Sequence, residues 1–223
     1  MTSPTPTTPR RTRLSAEDRR ASILAAAIGV FAERGYQRGK VSEVAARVGV
    51  TEPVVFQNFG SKAALFAAVV DLTATRICAE LADAVATGTP VAALVAEVLS
   101  PAHLDQLHAQ GSLGVLFADS VAPAAEPAVA QAGQAAVRRI ADALADALRH
   151  GQVTGDIRAD ADPGAAAWLL VSLISARPLR LAAMPEDARN RLDAAIAAMA
   201  AGLLIPAAAQ PSAAQPSAQH PLA

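Results

Sequence analysis

Four side chains between Thr51 and Phe59 carry the most distinctive chemistry in the chain: Glu52, Val54, Gln57 and Asn58. A side-chain amide offers a donor and an acceptor side by side, which fits the major-groove edge of adenine. A carboxylate accepts from cytosine, and valine methyls can touch the thymine methyl. One good bidentate base contact discriminates by about 1–3 kcal/mol. The same residue types also make an ordinary solvated helix face. Base reading therefore needs an element that holds them proud of the surface.

The surrounding residues supply such an element. Thr51 is placed to cap a short helix ending near Asn58, and Pro53 falls in its first turn, where a missing N–H costs little. A second short helix is expected over 41–48, with Val44, Ala45 and Val48 inward and Gly49 making the turn. Two short helices joined by a three-to-four-residue turn with a glycine describe a helix-turn-helix. Val48, Val50, Val55 and Phe59 can anchor the second of them, leaving Glu52, Val54, Gln57 and Asn58 outward. Upstream, Ser15-Ala16-Glu17-Asp18 suits a capping box. Leu24, Ile28 and Phe31, with Ile23, Ala27 and Val30 beside them, recur at helical spacing, and Gly35 reads as a left-handed stop. Ser61 caps a further helix through Phe66, Val69, Val70, Thr73 and Ile77 to about residue 86.

The remainder points to helices throughout. Hydrophobic residues make up 52% of the chain and aromatic residues only 3%, with alanine abundant. Alanine and leucine favour helix, whereas strands draw on β-branched and aromatic residues, so an all-α fold is expected. Further helices are predicted over 91–99, 103–110 and 113–120. A long one follows Pro127 to about His150, then a polar loop over 151–163, and two late helices cover 163–182 and 185–204. Residues 1–13 are rich in Thr and Pro and end in Arg10, Arg11 and Arg13. That arm is either a solvated tail or a basic arm that follows a DNA groove. From Pro206 the chain is Ala/Gln/Pro/Ser-rich, a low-complexity tail.

Charge divides unevenly. Through Lys62 there are ten Lys or Arg against five Asp or Glu, a net of +5; the rest carries nine against fifteen, a net of −6. A basic first quarter on an acidic body fits a DNA-binding module joined to a different one. The single cysteine, Cys78, makes neither an internal disulfide nor a cysteine-based zinc site and reads as a small hydrophobe. The first twenty residues lack the apolar core of a signal peptide. The best apolar run, 165–176, is too short to cross a bilayer. A cytoplasmic protein without membrane contact is the expectation.

Residues 35–66, GYQRGKVSEVAARVGVTEPVVFQNFGSKAALF, closely resemble the signature of the tetracycline-repressor (TetR) family. The matching pieces are Gly35-Tyr36, Val44-Ala45, Gly49-Val50-Thr51, Phe56, Phe59, and Ser61-Lys62 followed by Leu65-Phe66. Order and spacing agree without a gap from Ala21 onward. The resemblance implies an all-α chain with an N-terminal three-helix helix-turn-helix and a C-terminal helical ligand-binding and dimerisation domain. It implies DNA contact by Arg38, Lys40, Ser42, Thr51, Glu52, Pro53, Val54, Phe56, Gln57, Asn58 and Lys62, with Lys62 and the nearby helix N-terminus holding a phosphate. Two departures stand out. Gly39-Lys40 replaces a usual Thr or Ser pair, which removes a hydroxyl cap. Phe56 replaces a usual Tyr, whose hydroxyl is often a phosphate ligand.

A single helix-turn-helix reads too few base pairs for useful specificity, and two copies on a two-fold axis read a near-palindrome. The resemblance implies that the last two long helices pair with their mates in a homodimer. Ala166, Leu169, Leu170, Leu173 and Ile174 form one apolar stripe, and Leu192, Ile196, Met199 and Leu203 another. For a sensor cavity the candidates by bulk or polarity are His103, Leu107, Leu116, Phe117, Trp168, Arg177 and Met184. The organisation expected is a disordered basic arm (1–14), a helix-turn-helix domain (15–60), a helical effector-binding and dimerisation domain (61–205) and a disordered tail (206–223). The partners expected are double-stranded DNA, a second copy and a small hydrophobic effector, with no cofactor and no metal.

Two other classes compete. An enzyme finds little support: His103 and His108 are five apart, about 140° around a helix, so they share no metal-binding face. No Gly-rich phosphate loop or nucleophile motif is present. A helical interaction protein whose DNA head has lost function is left open by Gly39, Lys40 and Phe56.

Overall fold

The computed structural model describes residues 15–109, 111–122 and 125–207. The arm expected over 1–14 and the tail beyond residue 207 lie outside the described residues. Among these residues the regular structure is helical: α1 Ala16–Arg38, α2 Val41–Val48, α3 Glu52–Phe59, α4 Lys62–Ala86, α5 Val91–Val98, α6 Pro101–His108, α7 Leu113–Ser120, α8 Pro127–Thr154, α9 Pro163–Ser175, α10 Arg177–Ala183 and α11 Glu186–Leu204.

Local chemistry sets most boundaries. Ser15 Oγ accepts from the Asp18 N–H at 3.0 Å and starts α1, and Ser61 Oγ accepts from the Ala64 N–H at 3.0 Å and starts α4. Thr51 holds the capping backbone position of α3, but its hydroxyl makes no capping bond, contrary to expectation. At Gly35 the backbone turns to φ 72°, ψ 170°, which breaks the regular path of α1. One more turn follows before Gly39 N–H closes on Gly35 O at 3.0 Å, so the helix ends three residues past the expected stop.

Two apolar cores share α8. The front core gathers α1 to α4 with Leu116 of α7 and with Val129 and Ala136 of α8. Its centre is aromatic: Phe31 meets Phe66 edge-on at 5.1 Å between ring centroids, and Tyr36 lies 4.8 Å from Phe66. Ala63, Leu65, Phe66, Val69 and Val70 belong to this core, so packing runs unbroken through residue 60. The rear core joins α5, α8, α9 and α11 through Val95, Leu148, Ala167, Leu170 and Leu204. The most extensive helix pairing, α4 on α8, ties the two together.

Three expectations need correction. The loop expected from Gly151 is still helix. Gly151 is buried, and a β-carbon there would stand 2.9 Å from Val91, so the glycine serves close packing. The stop is Gly155, left-handed at φ 88°. The late helix expected over 163–182 is interrupted at Ala176 and divides into α9 and α10. Finally, helical path resumes past residue 176, so 163–183 spans 21 residues, with mean hydropathy 1.3 over an 18-residue window, long and apolar enough to cross a bilayer by length and composition. Its interior nevertheless holds Arg177 and Arg180, both buried on Asp193 of α11, which anchors this run to the helical body.

Candidate nucleic-acid interface

α3 sits on the front core by two residues, Val55 and Phe59. The face turned to solvent is Glu52, Pro53, Phe56 and Gln57, with Thr51 exposed ahead of them. Val54 and Asn58, expected outward, are half-buried on the flank. The helix period explains the shift: with 55 and 59 inward, residues 52, 53, 56 and 57 point away and 54 and 58 fall to the side. The Asn58 amide is turned back on its own helix, donating to Val54 O at 2.7 Å. Phe56, 39% exposed, takes the outward place instead.

Beside this face lies an open cleft of about 490 Å³ between the end of α1, the start of α2, α3 and the start of α4. It brings together Arg38, Lys40, Ser42, Glu52, Phe56 and Lys62 from the sequence-derived set. Gln37, Gly39 and Val41 complete its wall. Arg38, Lys40 and Ser42 are exposed. Lys40 stands at the N-cap of α2 and makes no side-chain capping bond, as the missing hydroxyl implied. Gly39 has its own reason: a β-carbon there would stand 2.7 Å from Phe31 Cδ1. The cleft therefore has charge where a hydroxyl pair was usual.

Lys62 is only half-exposed. Its Nζ donates to Gln37 O at 3.1 Å and lies 4.7 Å from the centre of the Tyr36 ring. Burial pushes the ammonium below the ordinary lysine range, while the negative charge of Glu126 works the other way. An ammonium has three donors, so a bond to Gln37 still leaves capacity for an anion in the cleft.

Several residues that sequence reasoning missed position these groups. The Tyr36 N–H donates to Asp119 of α7, and the Tyr36 hydroxyl donates to Glu126 Oε1, just before α8, at 2.6 Å. Burial first, then the Glu126 bond and charge, push the Tyr36 phenol well above its ordinary value. The break at Gly35 is thus clasped by two carboxylates from the body of the protein. Both partners lie more than eighty residues away in sequence, and no local signal pairs them. Arg20, near the start of α1, donates from Nη1 to Asn58 O at 2.7 Å.

The seven residues proposed for a sensor cavity do not converge. Leu116 and Phe117 pack into the front core. Trp168 is 47% exposed on α9. His103 and Leu107 are half-buried on α6, and Met184 is half-buried where α10 ends. Arg177 is fully buried with its guanidinium on Asp193 and Asp105, and Asp193 also accepts from Arg180 Nε at 3.1 Å. Burial opposes the Arg177 charge, yet the two carboxylates outweigh it and hold the group above its ordinary value. A small apolar cavity of about 20 Å³ lies instead between α4, α5, α8 and α9, lined by Leu81, Val95, Leu144, Leu148 and Leu170 among others. It takes none of the seven.

Comparison with known proteins agrees with this geometry. Residues 23–69 match the family described as bacterial regulatory proteins, tetR family. Over 80 residues the chain is 38% identical to the HTH-type transcriptional activator FasR of Mycolicibacterium smegmatis, a match covering 36% of each chain. Over 77 residues it is 38% identical to the HTH-type transcriptional repressor Rv3405c of Mycobacterium tuberculosis, covering 34% of this chain and 41% of that one. The matched segment thus spans well under half of these curated relatives. The solved structure of a transcriptional regulator from Saccharomonospora viridis in complex with choline superposes with a TM-score of 0.66 at 17% identity. It covers 85% of this chain and 99% of that one, and the likeness extends the shared fold into the rear helices. Residues 23–69 thus carry the motif of the family described as bacterial regulatory proteins, tetR family, set in an all-helical frame.

Proposed function

We propose that the chain is a dimeric, sequence-specific DNA-binding transcriptional regulator: a repressor released from a near-palindromic operator by a small hydrophobic effector. The observation that carries this reading is the exposed face of α3 beside a cleft edged by Arg38, Lys40 and Lys62. Gln57 and Glu52 are the side chains proposed to read base edges, with Phe56 and Pro53 making apolar contact. The cations hold phosphates and set register. Residues 15–60 form the proposed reading unit and 61–205 the proposed sensing and pairing unit, with action in the cytoplasm, where the DNA is.

Pairing is supported by an apolar surface on the late helices. Trp168, Leu169, Met199 and Leu203 are exposed, Met199 and Leu203 each at 59%. Ala166 and Leu170 of the same stripe are buried within the chain. The outer edge of each stripe is thus left for a second copy, and large exposed apolar patches mark such surfaces. For the effector, the seam between α4, α5, α8 and α9 is the proposed entry, since its lining is wholly apolar side chains. Such a ligand shifts the equilibrium only by binding better to a head spacing that misfits the operator.

Selection from a randomised duplex library at low salt tests the core of the proposal. A recovered near-palindrome protected as two half-sites supports it. Uniformly weak binding to every duplex would instead favour a helical interaction protein. Sedimentation of the purified chain tests the pairing: Met199→Asp with Leu203→Asp is expected to turn a dimer into a monomer.

A further inference from the structure

α3, the helix proposed to read base edges, is short and weakly fastened. At eight residues it is below the length at which an isolated helix persists in water, so its orientation must come from outside. Only Val55 and Phe59 are buried, and Thr51 gives no side-chain capping bond at its start. At its end the last carbonyls lack helical partners and carry the negative end of the helix dipole. The Asn58 side chain is spent on Val54 O and does not serve that end.

Arg20 does. Its Nη1 donates to Asn58 O at 2.7 Å, and its Cζ lies 4.1 Å from the centre of the Phe59 ring. A flat guanidinium can stack on a ring and donate in its own plane at the same time, which a lysine ammonium cannot. The stack opposes rotation of α3 about its axis, and the carbonyl bond opposes sliding along it. The outward side chains of a helix end about 6 Å from its axis. A rotation of roughly 20° would move them about 2 Å, beyond what a hydrogen bond to a base edge tolerates.

We infer that Arg20 is a positioning residue for sequence reading: it fixes the rotation and height of the recognition helix through Asn58 and Phe59. This rests on the DNA-reading role proposed above. Arg20 acts on choice between sequences, whereas a phosphate ligand such as Lys62 acts on all duplexes alike.

The test uses the full chain, the duplex it selects and a scrambled duplex of equal length, titrated over a salt series, with thermal melting of every variant. Arg20→Ala is expected to reduce the ratio of selected to scrambled affinity by about tenfold or more, the scale of one bidentate base contact. Affinity for the scrambled duplex and its salt slope should stay within about twofold of the parent. Arg20→Lys should recover part of the ratio, since it restores a donor and a cation over Phe59 but not the planar stack. If Arg20→Ala melts below the assay temperature, Arg20→Gln, which keeps a donor for Asn58 O, should show the same selective loss at smaller size. Equal loss on both duplexes with a salt slope lowered by about one would make Arg20 a phosphate ligand and overturn the inference. An unchanged ratio in folded variants would also overturn it. If the parent chain selects no duplex, the DNA-reading proposal fails and this inference with it, an outcome distinct from a selective parent with equally selective variants.

Discussion

The front and rear cores solve the same packing problem with opposite materials. At the front, Phe31, Tyr36 and Phe66 meet ring to ring, and the large apolar side chains left exposed are Phe56, on the face proposed for DNA, and Val121, where α7 ends. At the rear, alanines bring the helices close, Arg177, Arg180 and Asp193 lie inside, and Trp168, Met199 and Leu203 lie outside. Charge inside and apolar surface outside is a poor solution for a lone globule and fits the pairing proposed above. The family match ends at residue 69, within the stretch of α4 that completes the aromatic core. The front, proposed to present one helix to a DNA groove, is locked by interlocking rings. The rear, proposed to meet a second copy and an effector, is built largely from small residues.

The most severe way to strain this contrast is to open the front. Phe66→Ala removes the ring shared by Phe31 and Tyr36 and should destabilise the chain by about 3–5 kcal/mol, read as a fall in the denaturant midpoint with loss of duplex binding. A loss below about 1 kcal/mol would mean the aromatic cluster is not the front's main support. At the rear, Asp193→Asn keeps the shape but leaves two guanidinium groups without their shared charge. The expected loss is about 1.5–3 kcal/mol in the same denaturant measurement. Were Asp193→Asn neutral, the buried charges would contribute nothing to stability and the contrast would rest on packing alone.

The front was legible because its signals are local. Ser15 and Ser61 cap as their spacing implied, Gly49 turns left-handed at φ 74°, and Val55 and Phe59 face inward. Within the candidate site, Arg38, Lys40, Ser42 and Lys62 meet in one cleft because they lie at the adjoining ends of α1, α2 and α4. Val54 and Asn58 have the chemistry of an outward face, but the angle that Val55 and Phe59 impose turns them to the flank. The clasp of Asp119 and Glu126 on Tyr36 was illegible, since it depends on how α7 and α8 return over α1. The rear candidates lie apart for a related reason. Bulk that is scarce in an alanine-rich chain does not by itself mark a cavity: Arg177 closes an ion cluster and Trp168 faces out.

A smaller effect probes the hold of Glu126 on the end of α1. Tyr36→Phe deletes the hydroxyl bond to Glu126 and should destabilise by about 1 kcal/mol, read by thermal melting. The sign of its pH dependence follows from the raised phenol. That stabilisation is fully present below the ordinary tyrosine value of 10.0 and is lost only as pH climbs above it. The parent and Tyr36→Phe melting curves should therefore differ by a constant amount between pH 6 and 9. A gap that closes within this range would assign the stabilisation to another group.

The smallest effect concerns Lys62, where burial and the charge of Glu126 act on one proton. In the free chain burial depresses its ionisation, and in the proposed complex a phosphate restores the charge. Binding then takes up a proton between the depressed value and the ordinary 10.5. The sign is that duplex affinity falls as pH rises through this window, by at most about tenfold per pH unit for a single site. Lys62→Arg keeps the charge throughout and should flatten the profile at alkaline pH while leaving neutral-pH affinity within a few-fold. Parallel profiles for parent and variant would show that Lys62 keeps its place on Gln37 O and Tyr36 in the complex, making it a brace for the end of α1 and leaving Arg38 and Lys40 to hold the phosphates.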